Sequence, residues 1–206
     1  MSFSQRFFIT GTDTGIGKTY CSRQLLDQNN AQGKTSIALK PLASGCEITP
    51  QGLRNEDALL LQAAASIHLP YAEINPFAFE PPIAPHLAAA FSGQTISAQA
   101  LADGCHSAFS HPADLYLIEG AGGWQVPLNQ EETWPDFVKL IQADVILVVG
   151  MRLGCINHAL LTAESILHSG CHLAGWIANA LPPNMPYLQE NIAYLKTKIP
   201  APLLLG

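Results

Sequence analysis

The sequence predicts a three-layer α/β fold, with helices flanking a mainly parallel central sheet, and three observations predict it. Short, uniformly apolar runs recur along the chain at Phe7–Thr10, Thr35–Leu39, Leu115–Ile118, Val145–Val149 and Leu173–Ala178. Strands without polar alternation are covered on both faces, which is the parallel-sheet pattern. Longer helical segments alternate with them, as right-handed crossovers between parallel strands require. The length of 206 residues fits one domain, 1–206, with a core that needs no staples.

The elements follow in order. Phe7–Thr10 ends in a glycine-rich turn at Gly11, and the helix Lys18–Asn29 opens after it. Thr35–Leu39 stops at Lys40, because Pro41 cannot donate to a ladder and disfavours helix in the residue before it. A helix over Asn55–Ser66 carries Asp57 in its first turn, where an acid favours the macrodipole. Tyr71–Pro85 holds Pro76, Pro81, Pro82 and Pro85 and reads as a long surface loop; neither flank is large enough to be a complete α/β domain that it could link. The helix Ser97–Phe109 precedes the strand Leu115–Ile118, and Thr133–Gln142 precedes Val145–Val149. Helices Asn157–His168 and Pro186–Lys198 bracket the last strand, Leu173–Ala178. There is no internal repeat and no low-complexity tract.

Composition excludes several classes of function. Ten Lys and Arg against 16 Asp and Glu leave a net charge of −6, so no surplus of cations exists to neutralise a nucleic-acid backbone. With 13% charged and 48% hydrophobic residues, the chain is not disordered. The apolar run Phe7–Ile9 is too short for a signal-peptide core, and no run is long enough to cross a bilayer, so a cytoplasmic protein is expected. Cys21, Cys46, Cys105, Cys155 and Cys171 form no Cys-x-x-Cys pair and read as reduced, buried thiols. Neither they nor the seven scattered histidines are assigned a metal.

The first chemical signal is Gly11-Thr-Asp-Thr-Gly-Ile-Gly17-Lys18-Thr19, placed after a strand and before a helix. In that context successive backbone N–H groups and the helix N-terminus cradle phosphates. Lys18 would reach the β- and γ-phosphates and the Thr19 hydroxyl would bind Mg²⁺. Five residues, not the usual four, separate Gly11 from Gly17-Lys18-Thr19. The motif predicts a P-loop NTPase-type fold and a nucleoside triphosphate, and leaves open what is done with it.

Such a loop needs a second Mg²⁺ contact. Glu119 stands where the strand ending at Ile118 meets Gly120-Ala121-Gly122-Gly123, at the edge where open α/β sheets place ligands. Lys40, at a second strand end, would neutralise a transferring phosphoryl group; alone, it fits a solvated strand-end lysine equally well. Local sequence does not decide Asp57. The guanine-reading Asn-Lys-x-Asp string of GTPases is absent, as is the second, earlier lysine of partitioning ATPases.

Taken in order, these blocks resemble the dethiobiotin synthetase family of biotin biosynthesis. The resemblance is carried by GTDTGIGKT from Gly11, KPLASG from Lys40, GLRNEDALLLQ from Gly52 and NPFAFEPPIAPHLAA from Asn75. It continues through IEGAGGWQVPL from Ile118, LGCINHALLT from Leu153, GWIAN from Gly175 and IPAPLL from Ile199, nearly end to end. The stretched P-loop is a feature of that family.

The resemblance implies a homodimeric cyclo-ligase acting on 7,8-diaminopelargonic acid, CO₂ and MgATP. A substrate amine captures CO₂ as a carbamate, the carbamate takes the γ-phosphoryl group as a carbamic–phosphoric anhydride, and the second amine closes the ureido ring. It further implies Lys18 and Lys40 as catalytic cations and Thr19, Asp57 and Glu119 as the Mg²⁺ set. Gly15, Ile16, Gly17, Tyr20, Gly120, Ala121, Gly122, Asn179 and Ala180 would join Lys18, Thr19, Asp57 and Glu119 around ATP, with Asn179 on the adenine edge. Thr14 and Ser44 would contact the diamine or carbamate. Gly154, Cys155, Ile156 and Asn157 would hold the substrate carboxylate from the partner subunit.

Three positions depart from the family pattern. Gly15 stands where some members are acidic, and Ala180 where some are polar. Familiar members continue past the block that ends this sequence at Gly206, from which weaker purine discrimination or an incomplete nucleotide pocket is expected. Two other readings remain: a P-loop switch ATPase, and a nucleotide-binding paralogue without catalysis.

Overall fold

In the computed structural model, which describes residues 5–180 and 185–206, the chain runs β1 (Gln5–Gly11), α1 (Lys18–Ala31), β2 (Ser36–Leu39), β3 (Leu42–Ala43), β4 (Glu47–Thr49) and β5 (Gly52–Arg54). It continues with α2 (Glu56–Ala64), α3 (Tyr71–Ile74), β6 (Phe77–Ala78), α4 (Pro85–Phe91), α5 (Ala98–Gly104), α6 (His106–Ser110) and β7 (Leu115–Glu119). The remainder is α7 (Trp134–Ile141), β8 (Asp144–Met151), α8 (Cys155–His168), β9 (Leu173–Ala180), α9 (Leu188–Lys198) and β10 (Leu203–Leu205).

Six strands form a parallel sheet in the order β10-β9-β8-β1-β7-β2. Alternate residues of each strand feed two separate cores. Phe8, Tyr116, Ile118, Val145, Leu147 and Val149 pack on one face with Leu101, Phe137, Ala159 and Leu195 from α5, α7, α8 and α9. Ile9, Leu115, Leu117, Ile146 and Val148 pack on the other with Cys21 and Leu26 of α1 and Leu61 of α2. Burial on both faces explains why these strands carry no polar alternation. The α/β expectation is met.

Several boundaries differ, each for a local reason. Tyr71–Pro85 is not one long surface loop: it contains α3, and Phe77 and Ala78 pair in parallel with Leu42 and Ala43. Pro85 then starts α4, a position where its missing N–H costs nothing. The helix expected over Ser97–Phe109 breaks at Cys105 into α5 and α6 after Gly104, a poor helix former. The last helix begins at Leu188, not Pro186, while α8 begins at Cys155, not Asn157. The terminal strand β10 was not expected. It pairs with β9 where Gly175 leaves room, since a Cβ there would come within 2.6 Å of Leu204 Cγ.

Sheet order brings the C-terminal ends of β1, β7 and β2 side by side. The Gly-rich loop and Lys40 follow the ends of β1 and β2, and Glu119 is the last residue of β7, so three distant segments meet at one edge.

Candidate active site

The Gly11–Thr19 loop is tied down before any ligand meets it. Thr12 N–H donates to the Val148 carbonyl (3.0 Å) and Gly150 N–H to Thr12 Oγ1 (3.3 Å), which joins the loop to the end of β8. Asp13 accepts from the Thr14 N–H at 2.7 Å and pairs with Arg152. Gly15 and Gly17 take positive φ of 70° and 82°, and Gly17 is the N-cap of α1. The first turn of α1 holds no acid, which leaves its N-terminus open to an anion.

Lys18 folds back over the loop and donates to the Asp13 carbonyl at 3.1 Å. Burial, reinforced by the nearby Lys40 cation, pushes its pKa down to about 8.

Lys40 is buried between two carboxylates, with Nζ 2.7 Å from Glu119 Oε1 and 3.4 Å from Asp57 Oδ2. It also donates to the Gly120 carbonyl at 3.2 Å. Burial works against its charge, but Glu119 and then Asp57 outweigh that and hold the ammonium above the ordinary lysine pKa. For Asp57, burial opposes ionisation, yet Lys40, with Thr19 and Lys18, keeps its pKa below the usual aspartate value. Asn55 caps α2 by accepting from Ala58 N–H and so sets Asp57 in the first turn. Tyr71 joins the two halves: its hydroxyl accepts from Asn55 N–H and donates to Asn75, whose amide donates to the Lys40 carbonyl at 2.6 Å.

A cleft of about 770 Å³ opens over these groups. Of the residues expected from sequence, Thr14, Gly15, Gly17, Lys18, Thr19, Lys40, Ser44, Asp57, Glu119, Ala121 and Gly122 line it. Thr19 Oγ1, Glu119 and Asp57 supply hard oxygens, a donor set suited to Mg²⁺, which takes one or two carboxylates alongside substrate phosphates.

Others lie elsewhere. The Ile16 side chain belongs to the core, Tyr20 is 59% exposed on α1, and Gly120 N–H is engaged by the Ile9 carbonyl. Asn179 sits against the phosphate loop and donates to the Ile16 carbonyl at 2.7 Å, with Ala180 following at the end of β9. Gly154, Cys155, Ile156 and Asn157, at the start of α8, do not line this cleft. Sequence reasoning missed the apolar part of the lining, formed by Pro82 to Pro85 with Val126 and Pro127, though the proline cluster marked the segment. It also missed Ser22, which its spacing of three from Thr19 could have revealed. The five cysteines are buried and unpaired; burial pushes the Cys21 and Cys105 thiols up to about 12. Among the described residues, no helix is long and apolar enough to cross a membrane.

A stretched phosphate loop at the C-terminal edge of a parallel sheet, with helices on both faces, defines a P-loop NTPase-type protein. A family model described as an AAA domain matches residues 5–206. The ATP-dependent dethiobiotin synthetase of Cellvibrio japonicus is 52% identical over 198 residues, covering 96% of this chain and 86% of the relative. The enzyme of that name from Marinobacter nauticus is 52% identical over 199 residues, covering 96% and 85%. The chain belongs to the ATP-dependent dethiobiotin synthetase family. Among solved structures, signal recognition particle receptor FtsY of Elizabethkingia anophelis is similar in fold alone (TM-score 0.56, 14% identity), and this chain, fully covered, spans 58% of it. Cell division protein FtsY of Thermotoga maritima gives a TM-score of 0.56 at 13% identity, with 62% of that chain spanned.

Proposed function

We propose that this enzyme closes the ureido ring of dethiobiotin from 7,8-diaminopelargonic acid, CO₂ and ATP, releasing ADP and phosphate. The observation that carries the reading is the buried Lys40, which lines the same cleft as Lys18 of the phosphate loop. The Lys40-Pro41-Leu42-Ala43-Ser44 block and the absence of the earlier lysine of partitioning ATPases favour the ligase over a switch, and transfer to a carbamate brings two anions together, a charge that Lys40 and Lys18 can offset.

In this reading one substrate amine adds to CO₂ and loses a proton, giving a carbamate. A carbamate oxygen attacks the γ-phosphorus, the bond to the β-phosphate oxygen breaks, and ADP leaves. The second amine attacks the carbonyl of the mixed anhydride, phosphate departs, and the ring closes as the amine gives up its proton. Lys18 and Lys40 offset charge on the phosphoryl and carbamate oxygens, and the loop N–H groups hold the phosphates. Thr14 and Ser44 reach the cleft with hydroxyls suited to the diamine or carbamate. Thr19, Asp57 and Glu119 would hold Mg²⁺, which supplies charge neutralisation at the phosphates when bound. The apolar wall of Pro82 to Pro85 would keep water from the anhydride.

The reading extends to a homodimer. Leu153 is 99% exposed and Leu161 57% exposed beside and on α8, which supports an interface there. Gly154 to Asn157 would then present the N-terminus of α8 to the substrate carboxylate in the partner's cleft. Asn179 and Ala180 would flank the adenine. A cytoplasmic site of action is in keeping with five unpaired cysteines.

Incubation with diaminopelargonate, bicarbonate and MgATP tests the reading. Dethiobiotin by mass, formed one for one with ADP, is the expected result. ATP hydrolysis indifferent to the diamine, or nucleotide binding without turnover, would overturn it.

A further inference from the structure

Both oxygens of the Glu119 carboxylate are engaged, and they are engaged differently. Oε1 accepts from Lys40 Nζ at 2.7 Å and from Thr19 Oγ1 at 2.9 Å, both side chains that line the cleft. Oε2 accepts from Ser22 Oγ at 2.8 Å, and Ser22 does not line the cleft. Thr19 and Ser22 are three apart on α1, so one helix face presents two hydroxyls to one carboxylate. Ser22 and Glu119 are each 0% exposed, so this hydrogen bond is made out of contact with bulk solvent.

A buried helical serine ordinarily returns its proton to the carbonyl four residues back. Here the proton goes to Glu119 instead. A carboxylate held by donors on one oxygen alone could swing about its terminal torsion, which has only a broad two-fold preference. Tethering Oε2 from the interior side fixes which oxygen faces the cleft.

We propose that Ser22 is a positioning residue: its hydroxyl pins Oε2 of Glu119, so that Oε1 stays presented to the Mg²⁺ that accompanies the nucleotide. The inference rests on the reading of Glu119 as a member of the Mg²⁺ set. It assigns Ser22 no contact with nucleotide or substrate. Removing the hydroxyl therefore weakens the coupling between metal and nucleotide, not nucleotide binding itself.

Equilibrium binding of ADP to the full chain, with Mg²⁺ and with a chelator, measures that coupling as a ratio of affinities. Ser22→Ala is expected to bind metal-free ADP within about twofold of the native enzyme, while its Mg²⁺ enhancement falls by roughly threefold or more. Ser22→Thr, which keeps the hydroxyl, is expected to retain most of the enhancement. Native enhancement in Ser22→Ala, whatever happens to its melting temperature, would overturn the inference and leave Ser22 a packing residue. If Ser22→Ala does not fold, Ser22→Cys keeps the size with a weaker donor; an intermediate enhancement supports the role and a native one overturns it. Glu119→Gln separates the two layers. If it removes the enhancement and Ser22→Ala does not, the Ser22 inference alone fails. If Glu119→Gln leaves the enhancement intact, or the native enzyme shows none, the reading of Glu119 itself fails.

Discussion

Lys40 Nζ lies 2.7 Å from Glu119 Oε1, and both side chains are buried at the edge of the cleft. Stripping one partner from a buried ion pair typically costs about 3–5 kcal/mol, because the other charge is left bare. Lys40→Gln keeps an N–H donor for Glu119 while removing the cation. We expect it to fold and to lower kcat about tenfold or more, at least ~1.4 kcal/mol of transition-state stabilisation. Steady-state kinetics with saturating diamine and MgATP check this; an unchanged kcat would return Lys40 to a structural role.

Asp57 reaches the same lysine from α2 at 3.4 Å and is less deeply buried than Glu119. Asp57→Asn preserves size and removes charge. The expected outcome is a higher Mg²⁺ concentration at half-maximal rate, with kcat at saturating Mg²⁺ less affected. A magnesium titration that overlays the native curve would take Asp57 out of the metal set.

Lys18 supplies the pH dependence. Its pKa falls from 10.5 to about 8 on folding, chiefly through burial. Between those values the unfolded chain binds the extra proton, so stability rises with pH across the window, and below pH 8 the cost of the buried charge is fully present. Ligand affinity runs the opposite way, since phosphates want the charged form. Metal-free ADP should bind with constant affinity below pH 8 and lose up to about tenfold per unit above it. Lys18→Arg, charged throughout, should flatten that decline even if it binds less well overall. Titrations from pH 7 to 9.5 would expose a flat native profile, the outcome that contradicts this.

Gly15 and Gly17 separate backbone strain from steric conflict. Both have positive φ, but a Cβ on Gly15 meets nothing within 4 Å, whereas one on Gly17 would lie 2.2 Å from Asn179 Nδ2. Gly15→Ala should cost about 1 kcal/mol or slightly more in stability and leave ADP binding nearly native. Gly17→Ala must also push Asn179 off the Ile16 carbonyl, and should weaken ADP binding about tenfold or more. Thermal melts and ADP titrations of the pair decide it; equal losses of ADP binding in the two would refute the distinction.

Much of the fold was legible because the relevant information is local. Buried strands announce themselves by apolar runs such as Val145–Val149, and the phosphate loop by glycines leading into Lys18-Thr19 between a strand and a helix. The cleft residues were legible as strand ends, since Lys40 and Glu119 each directly follow an apolar run. Short elements held by partners far away in sequence were not: β10 exists because Gly175 leaves it space, and the strand Phe77–Ala78 because Leu42–Ala43 lies beside it. Neither has a periodic signature of its own.

By itself the sequence determined the α/β class, the phosphate loop and the roster of charged residues available to it. Only the tertiary structure decided how those charges are spent. Lys40 alone read equally as a solvated strand-end lysine. The parallel order that sets β7 between β1 and β2 buries it between Glu119 and Asp57. The spacing of three puts Ser22 on the Thr19 face of α1, but only the packing of α1 against the end of β7 gives its hydroxyl a partner, an oxygen 97 residues away in the chain. The physical reason is the same in both cases. An ionisable or polar side chain takes its character from what surrounds it after burial, and that environment is assembled from segments with no local relation in sequence.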